Sequence, residues 1–283
     1  MRPGSDRKVD PLKVTVRNAR FQQWEALLTN RNKRQRAGQF LIQGVRPITL
    51  AVENGWSIDS LLRPEGRQLS GWAEQMVRRS GAQVIEVKPD LLAELGERES
   101  GEPELIAVGA LRPDDFDRLG PGPGFFGVVF DRPVSPGNIG TLIRSADAFG
   151  ASGVIITGHA ADIYDPKAVR ASTGSLFTLP VVRAHSTDEV LTWVSDRRRE
   201  GIPIRIVGTD EHGTVDIGDY DLTQPTLMVI GNETAGMSAR WREACDDIVR
   251  IPIGGGASSL NAATAGAVVL YEAARQRGYG NPP

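Results

Sequence analysis

Three glycine-bearing segments hold the residues whose types could do chemistry. The first, Asp131-Arg-Pro-Val-Ser-Pro-Gly137-Asn138-Ile-Gly140, follows the apolar run Phe125–Phe130. The second, Gly231-Asn232-Glu233-Thr-Ala-Gly236-Met-Ser238, follows Thr226–Ile230. The third, Gly254-Gly-Gly256-Ala-Ser258-Ser259-Leu260-Asn261, follows Ile248–Ile253. Glycine permits left-handed backbone and a close approach of ligand to main chain, and the Asn, Ser and Glu beside it supply hydrogen-bonding groups. One such segment is an ordinary turn. Three of them, each after a strand of one parallel sheet, point to a binding site beyond the carboxyl ends of those strands.

Arg144 carries the strongest chemical signal outside the loops. Ile139, Leu142, Ile143, Ala146 and Phe149 form an apolar stripe that predicts a helix over 139–149. Arg144 projects from the opposite face, one turn after the helix start, where free N–H groups gather anions. Either it meets such an anion, or it forms an exposed ion pair with Asp147 at i+3, worth little.

Several familiar chemistries are excluded. A dinucleotide fingerprint needs G-x-G-x-x-G after the first strand, and the first segment offers only Gly137-x-x-Gly140. Gly254-Gly-Gly256 follows the last strand and lacks the Gly-Lys-Ser/Thr ending of a P-loop. There is no G-x-S-x-G elbow for Ser-His-Asp hydrolysis. His159, His185 and His212 lie in unrelated segments and read as surface or loop residues, and Cys245 is the lone cysteine, so no metal site is expected.

The elements that must position these residues fall into two groups. Gly109–Gly124, rich in Gly, Pro and Asp, interrupts every periodicity. It suggests a first domain over 1–108, a linker over 109–123 and a second domain over 124–283. In the first, helical spacing marks Phe21–Leu28, Ile48–Val52 and Trp72–Val77, and short apolar runs mark strands at Phe40–Ile42, Val84–Val87 and Leu105–Val108. Phe21 and Trp24 read as core rather than as base-stacking residues. In the second, apolar runs at 125–130, 153–156, 204–207, 226–230 and 248–253 alternate with helices near 139–149, 166–175, 187–199, 239–245 and 260–277. That alternation predicts a parallel sheet covered on both faces.

Composition sets the outer bounds. The chain has 283 residues, 40% hydrophobic and 24% charged, as ordinary globular proteins do. No apolar stretch approaches the roughly 20 residues of a membrane helix. Met1–Lys8 has no hydrophobic core of a secretory signal, and one cysteine fits a reducing compartment, so a cytoplasmic location is expected. Residues 1–46 carry 11 Lys and Arg against 3 acids, although the whole chain is at −2. Such a basic segment either points a surface at a polyanion or is a solvated arm.

Taken in order, the motifs Asn138-Ile-Gly140-Thr-Leu-Ile-Arg144, Gly231-Asn-Glu233-Thr-Ala-Gly236 and Gly255-Gly-Ala-Ser-Ser259-Leu-Asn261 resemble those of the SpoU (TrmH-type) family of RNA ribose 2′-O-methyltransferases, in the SPOUT superfamily. Val169-Arg-Ala-Ser172-Thr-Gly174 resembles the family's intervening signature. Arg36-Ala-Gly-Gln-Phe40-Leu-Ile-Gln-Gly44-Val-Arg46 resembles its L30e-like RNA-binding domain, with Gln43 where a Glu is usual. The resemblance implies a fold class of α/β type: a C-terminal parallel-sheet α/β knot, a deep trefoil, preceded by a small α/β L30e-like substrate-binding domain.

It further implies S-adenosyl-L-methionine as cofactor, RNA as partner with ribosomal RNA favoured, a homodimer through the C-terminal domain, and no metal or membrane. Within the family the likeness extends to members acting on 23S ribosomal RNA, antibiotic resistance included. Carried over by residue, Ile230, Gly231, Asn232, Ile251, Ile253, Ser259 and Leu260 would hold the cofactor. Asn138, Arg144, Glu233, Ser259 and Asn261 would surround the reacting ribose, and Arg31, Lys33, Arg34, Arg36 and Arg46 would grip RNA. Asn138 and Glu233 could instead orient loops, and Ser259 could cap the last helix. The alternatives are a transfer-RNA methyltransferase, a non-catalytic RNA-binding protein of this fold and a nucleotide-dependent oxidoreductase.

Overall fold

The computed structural model describes residues 12–96 and 102–278, so the basic stretch 1–11 lies outside the described residues. The chain divides into two units between Leu111 and Arg112. Unit 1 runs β1 (Leu12–Val14), α1 (Ala19–Thr29), α2 (Arg31–Ala37), β2 (Gln39–Gln43), α3 (Val45–Glu53), β3 (Ile58–Pro64), α4 (Gly71–Ser80), β4 (Gln83–Val87), α5 (Pro89–Leu95) and β5 (Ile106–Ala110). Its sheet has the order β1-β4-β3-β5-β2, with β5 antiparallel to both neighbours. Phe21, Trp24 and Leu27 of α1 are buried in its core beside Leu41, Leu62 and Ile106, as their spacing predicts.

Four elements of unit 1, β1, α2, β3 and α5, lie outside the reading by apolar period, and α2 and β3 show why. Helix α2 is polar all round; its ends are set by Asn30, whose side chain accepts from the Lys33 amide, and by Gly38 in left-handed conformation. Strand β3 is central, but Asp59, Ser60 and Pro64 break its alternation. Gln43 explains its own departure from the family pattern. Its Nε2 donates to the Leu95 carbonyl at 2.8 Å, and a Glu carboxylate has no proton to donate there.

Unit 2 runs β6 (Phe126–Asp131), α6 (Pro136–Ala148), β7 (Gly153–Thr157), α7 (Pro166–Ala171), β8 (Val181–Ala184), α8 (Thr187–Arg199), β9 (Arg205–Thr209), β10 (Val215–Asp216), β11 (Thr226–Ile230), α9 (Ala239–Ala244), β12 (Asp247–Arg250) and α10 (Ala262–Gln276). All pairings are parallel, in the order β10-β12-β9-β11-β6-β7-β8. The segment expected as a linker is divided differently. Gly109 and Ala110 finish β5, while Leu119 is buried in the core of unit 2. Leu227 and Val229 share that core with Trp193 of α8 and Trp241 of α9, and the alternate residue Ile230 faces α10.

The packing of α6 depends on missing side chains. A Cβ on Gly140 would stand 2.3 Å from the Ala168 carbonyl, so α7 crosses α6 at backbone contact. Gly266 lets α10 meet Leu142 and Ile230 in the same way. The far end of α10 is pinned by Arg277, which donates to the carbonyls of Gly124, Leu222 and Gln224 and lies 4.8 Å over the Phe126 ring. Strand β12 stops at Arg250 rather than at the expected Ile253, because Pro252 cannot donate to a ladder. Ile251 and Ile253 are thereby freed to face a cavity.

Candidate active site

The crossovers leaving β6 and β11 run to opposite sides of the sheet, but the loops directly after these two strands are bonded to each other. A cavity of about 390 Å³ lies at the carboxyl ends of β9, β11 and β12, within the range of small-molecule sites. Ile230, Gly231, Asn232, Ile251, Ile253, Ser259 and Leu260 all line it. The third glycine run, Gly254–Gly256, does not line it; there a Cβ would meet nothing, and the loop reaches the cavity through Ser258, Ser259 and Leu260. Gly231 does the opposite. A Cβ there would lie 2.4 Å from the Met237 nitrogen, so only glycine lets the wall fold back on itself.

That wall is a tight hairpin. The Asn232 amide donates to the Gly236 carbonyl at 3.0 Å and the Gly236 amide returns a bond of 3.1 Å to the Asn232 carbonyl. The Asn232 side chain accepts from the amides of Thr234 and Ala235, and Gly236 takes φ +64° to close the turn. Glu233 sits at its tip. Its carboxylate accepts from the Val134 amide at 3.1 Å, the Ser135 amide at 3.2 Å and Asn138 Nδ2 at 3.0 Å. Burial works to raise its pKa, but these bonds outweigh burial and hold the carboxyl below its ordinary value. Glu233 is therefore an ionised staple between the first and second loops.

The chain of bonds continues. Asn261 Nδ2 donates to Asn138 Oδ1 at 3.3 Å, and Asn261 Oδ1 accepts from the Ala263 and Thr264 amides. Each amide has one consistent orientation, since Asn138 must donate to a carboxylate and Asn261 must accept from a helix start. The cap of α10 is thus Asn261, not Ser259. All three loops are brought together by Asn261, Asn138 and Glu233.

Arg144 is exposed on α6 and does not line the cavity. It makes no hydrogen bond or ion pair among the described residues, and the alternative pairing with Asp147 is absent there. The RNA-binding set divides. Arg31, Lys33 and Arg36 are exposed on α2, and Arg46 is exposed on α3 at the other end of β2. Arg34 is a correction: it is 2% exposed, and its Nη1 donates to the carbonyls of Leu27 and Leu28. Its guanidinium satisfies the end of α1 and cannot reach RNA.

Sequence reasoning missed the wall built by Thr209 at the end of β9, by Asp210, Glu211 and His212 after it, and by Arg242, which pairs with Asp210. Burial opposes ionisation of Asp210, yet the His212 amide and Arg242 hold its carboxyl below the usual value. The signal available was position alone, a loop at the carboxyl end of a strand beside the switch point. His159, His185 and His212 are exposed. Burial first, with Asp246 adding, pushes the Cys245 thiol up to about 12, which leaves it unreactive. Among the described residues no group of three His, Cys, Asp or Glu could hold a metal, and no helix is long and apolar enough to cross a membrane.

A parallel α/β unit with a cavity at the carboxyl ends of its strands, preceded by a separate mixed unit, is the arrangement of a known class. The chain belongs to the SpoU rRNA methylase family, whose model matches residues 126–271, and the family's L30e-like domain matches residues 18–107. Membership carries the α/β-knot fold class expected for unit 2. The chain is 60% identical, over 94% of its length and 92% of the relative's, to a 23S rRNA (uridine(2479)-2′-O)-methyltransferase of Streptomyces viridochromogenes. It is similar to the crystal structure of the SpoU methyltransferase AviRb of that organism in complex with AdoMet, with TM-score 0.89 and 60% identity over 94% of this chain and 100% of that one. An AdoMet-bound rRNA methyltransferase of Sinorhizobium meliloti matches at TM-score 0.81 and 30% identity, covering 93% of this chain and 97% of that one.

Proposed function

We propose that this chain transfers a methyl group from S-adenosylmethionine to the ribose 2′-hydroxyl of a uridine in 23S ribosomal RNA. The observation that carries this reading is the convergence of seven backbone and apolar contributors on one cavity whose wall, at Glu233, begins the Asn138–Asn261 bond chain. The residues present fit the cofactor. Gly231 and Gly236 offer main chain at the cavity wall, while Ile230, Ile251 and Leu260 offer apolar walls. When bound, S-adenosylmethionine supplies an activated methyl on a sulfonium. The 60% identical relative, named for a 23S rRNA uridine, supports the substrate class, and a resistance role would follow from the same modification.

The reaction is an in-line displacement in which the 2′-oxygen forms the bond to carbon as the carbon–sulfur bond breaks. The protein must align nucleophile and methyl, exclude water and let the hydroxyl proton leave. Glu233, with both oxygens engaged and its pKa depressed, is a poor base; it sets the orientation of Asn138. A guanidinium keeps its proton in proteins, so Arg144 acts by binding a phosphate beside the target and stabilising the developing alkoxide. The proton passes to that phosphate or to water.

The reading includes a homodimer through unit 2. Tyr271, exposed and edge-on to Phe149, gives that unit an apolar group outside the cavity suited to a second copy. The purified protein is expected to sediment as a dimer, to gain thermal stability from S-adenosylmethionine but not from NAD, and to leave a 2′-O-methyl uridine in 23S ribosomal RNA. A monomer at tens of micromolar removes the dimer alone. Absence of both the shift and the mark removes the enzyme.

Unit 1 holds the RNA in this reading, through Arg31, Lys33 and Arg36 on the outer face of α2. Phosphate contacts position a substrate without reading its sequence. Replacing the three by Ala is expected to weaken binding of a ribosomal RNA fragment and to reduce the log–log salt slope by about 2. Filter binding from low to moderate salt reads this, and an unchanged slope moves the RNA site elsewhere.

A further inference from the structure

Arg132 has φ +50°, one of two non-glycine residues in the left-handed region among the described residues. A long side chain seldom takes that backbone, and it persists only where the surroundings over-determine it. Here they do. The Arg132 amide donates to the Thr157 carbonyl at 3.0 Å, and its stem runs over Gly158, where a Cβ would lie 2.9 Å from Arg132 Cγ. Its carbonyl accepts from Asn232 Nδ2 at 2.6 Å, and its Nη2 donates to the Gly236 carbonyl at 3.2 Å. One residue therefore grips both legs of the hairpin that carries Glu233.

The guanidinium is itself fixed from below. Its Nε donates to Asp131 Oδ2 at 3.1 Å, and Asp131 is 1% exposed. The same carboxylate accepts from the Ser238 amide, just past the hairpin, and from Thr157 Oγ1. A buried carboxylate needs such partners, and the planar fork of arginine can serve the carboxylate and a carbonyl together.

We propose that Arg132 is a positioning residue that locks the Asn232–Gly236 hairpin and so pre-forms the cofactor-facing wall before any ligand arrives. The cofactor part rests on the function proposed above; the locking of the hairpin does not. Arg132→Gly takes the left-handed φ without strain and removes both side-chain grips. Arg132→Lys keeps a cation for Asp131, but a single ammonium cannot also hold Gly236 with the same geometry.

Amide hydrogen exchange of the ligand-free protein reads the lock directly. In both variants exchange at residues 232–236 is expected to rise at least tenfold, with the amides of β6, β7 and β11 unchanged. In methyl-transfer assays KM for S-adenosylmethionine is expected to rise about tenfold in Arg132→Gly and about threefold in Arg132→Lys, with kcat at saturating cofactor within twofold of the parent. Unchanged exchange in the hairpin of Arg132→Lys, which retains the buried ion pair, overturns the lock whatever the cofactor does. Hairpin loosening with unchanged KM overturns its link to the cofactor. A wild-type protein that does not bind S-adenosylmethionine overturns the proposed function and leaves the exchange result to decide the lock.

Discussion

Arg144→Ala is expected to reduce methyl transfer by on the order of 10³-fold while S-adenosylmethionine affinity stays within twofold. The size follows from what the residue does and does not touch. Arg144 is exposed on α6 and holds no partner among the described residues, so its removal breaks no internal bond. Surface changes of that kind usually alter stability by less than about 0.5 kcal/mol. It does not line the cavity either, so ground-state cofactor binding has nothing to lose. The free cation is left with one task, to meet negative charge brought by RNA and sharpened at the 2′-oxygen as its proton leaves. Arg144→Lys keeps the charge without the planar fork and is expected to recover part of the rate. Single-turnover methylation with calorimetry of cofactor binding separates the two effects. Near-normal turnover in the Ala variant removes Arg144 from the reaction.

The contrast between Arg144 and Arg34 shows where sequence reasoning holds and where it stops. Both are arginines in helices. Arg144 stands on the polar side of a clear apolar stripe, and its exposure follows from period alone. Helix α2 has no stripe, so nothing local says that Arg34 turns inward to the carbonyls at the end of α1. That requires knowing how α1 and α2 pack. The site shows the same division. The three loops were legible because glycine beside Asn, Ser and Glu recurs after three strands of one sheet, where a single such segment would be an ordinary turn. The wall after β9 was not, since Asp210, Glu211 and His212 look like any solvated turn until Arg242 pairs with Asp210.

Strand-level reading failed for one recurring reason. The mainly apolar strands β6, β7 and β11, buried on both faces, stand out in the chain. Short or interrupted strands such as β8 and β3 borrow their stability from neighbours. The knot of the family fold has no signature in composition or period, because threading is a property of the whole path and is almost absent from proteins. Only the order of the motifs, through resemblance, pointed to it.

Asn261 allows the bond chain to be separated from the fold. Its Oδ1 caps α10 through the Ala263 and Thr264 amides, and its Nδ2 reaches Asn138. Asn261→Ala loses both and is expected to cost about 1 kcal/mol of stability from the cap alone, together with activity. Asn261→Asp keeps an acceptor of equal capping strength, and its charge suits a helix start. It has no proton for Asn138 Oδ1, however, and it faces that oxygen with an anion. The Asp variant is therefore expected to unfold in denaturant at the parent midpoint yet to lose activity by about 10²-fold, the lower end for loss of one oriented donor. If Asp131, Arg132 and Glu233 hold the loops on their own, the Asp variant retains full activity and the chain from Asn261 to Glu233 is only a helix cap with a long tail. Equal loss of activity and stability in both variants would likewise assign Asn261 to the fold. A stable, slow Asp variant assigns it to orienting Asn138.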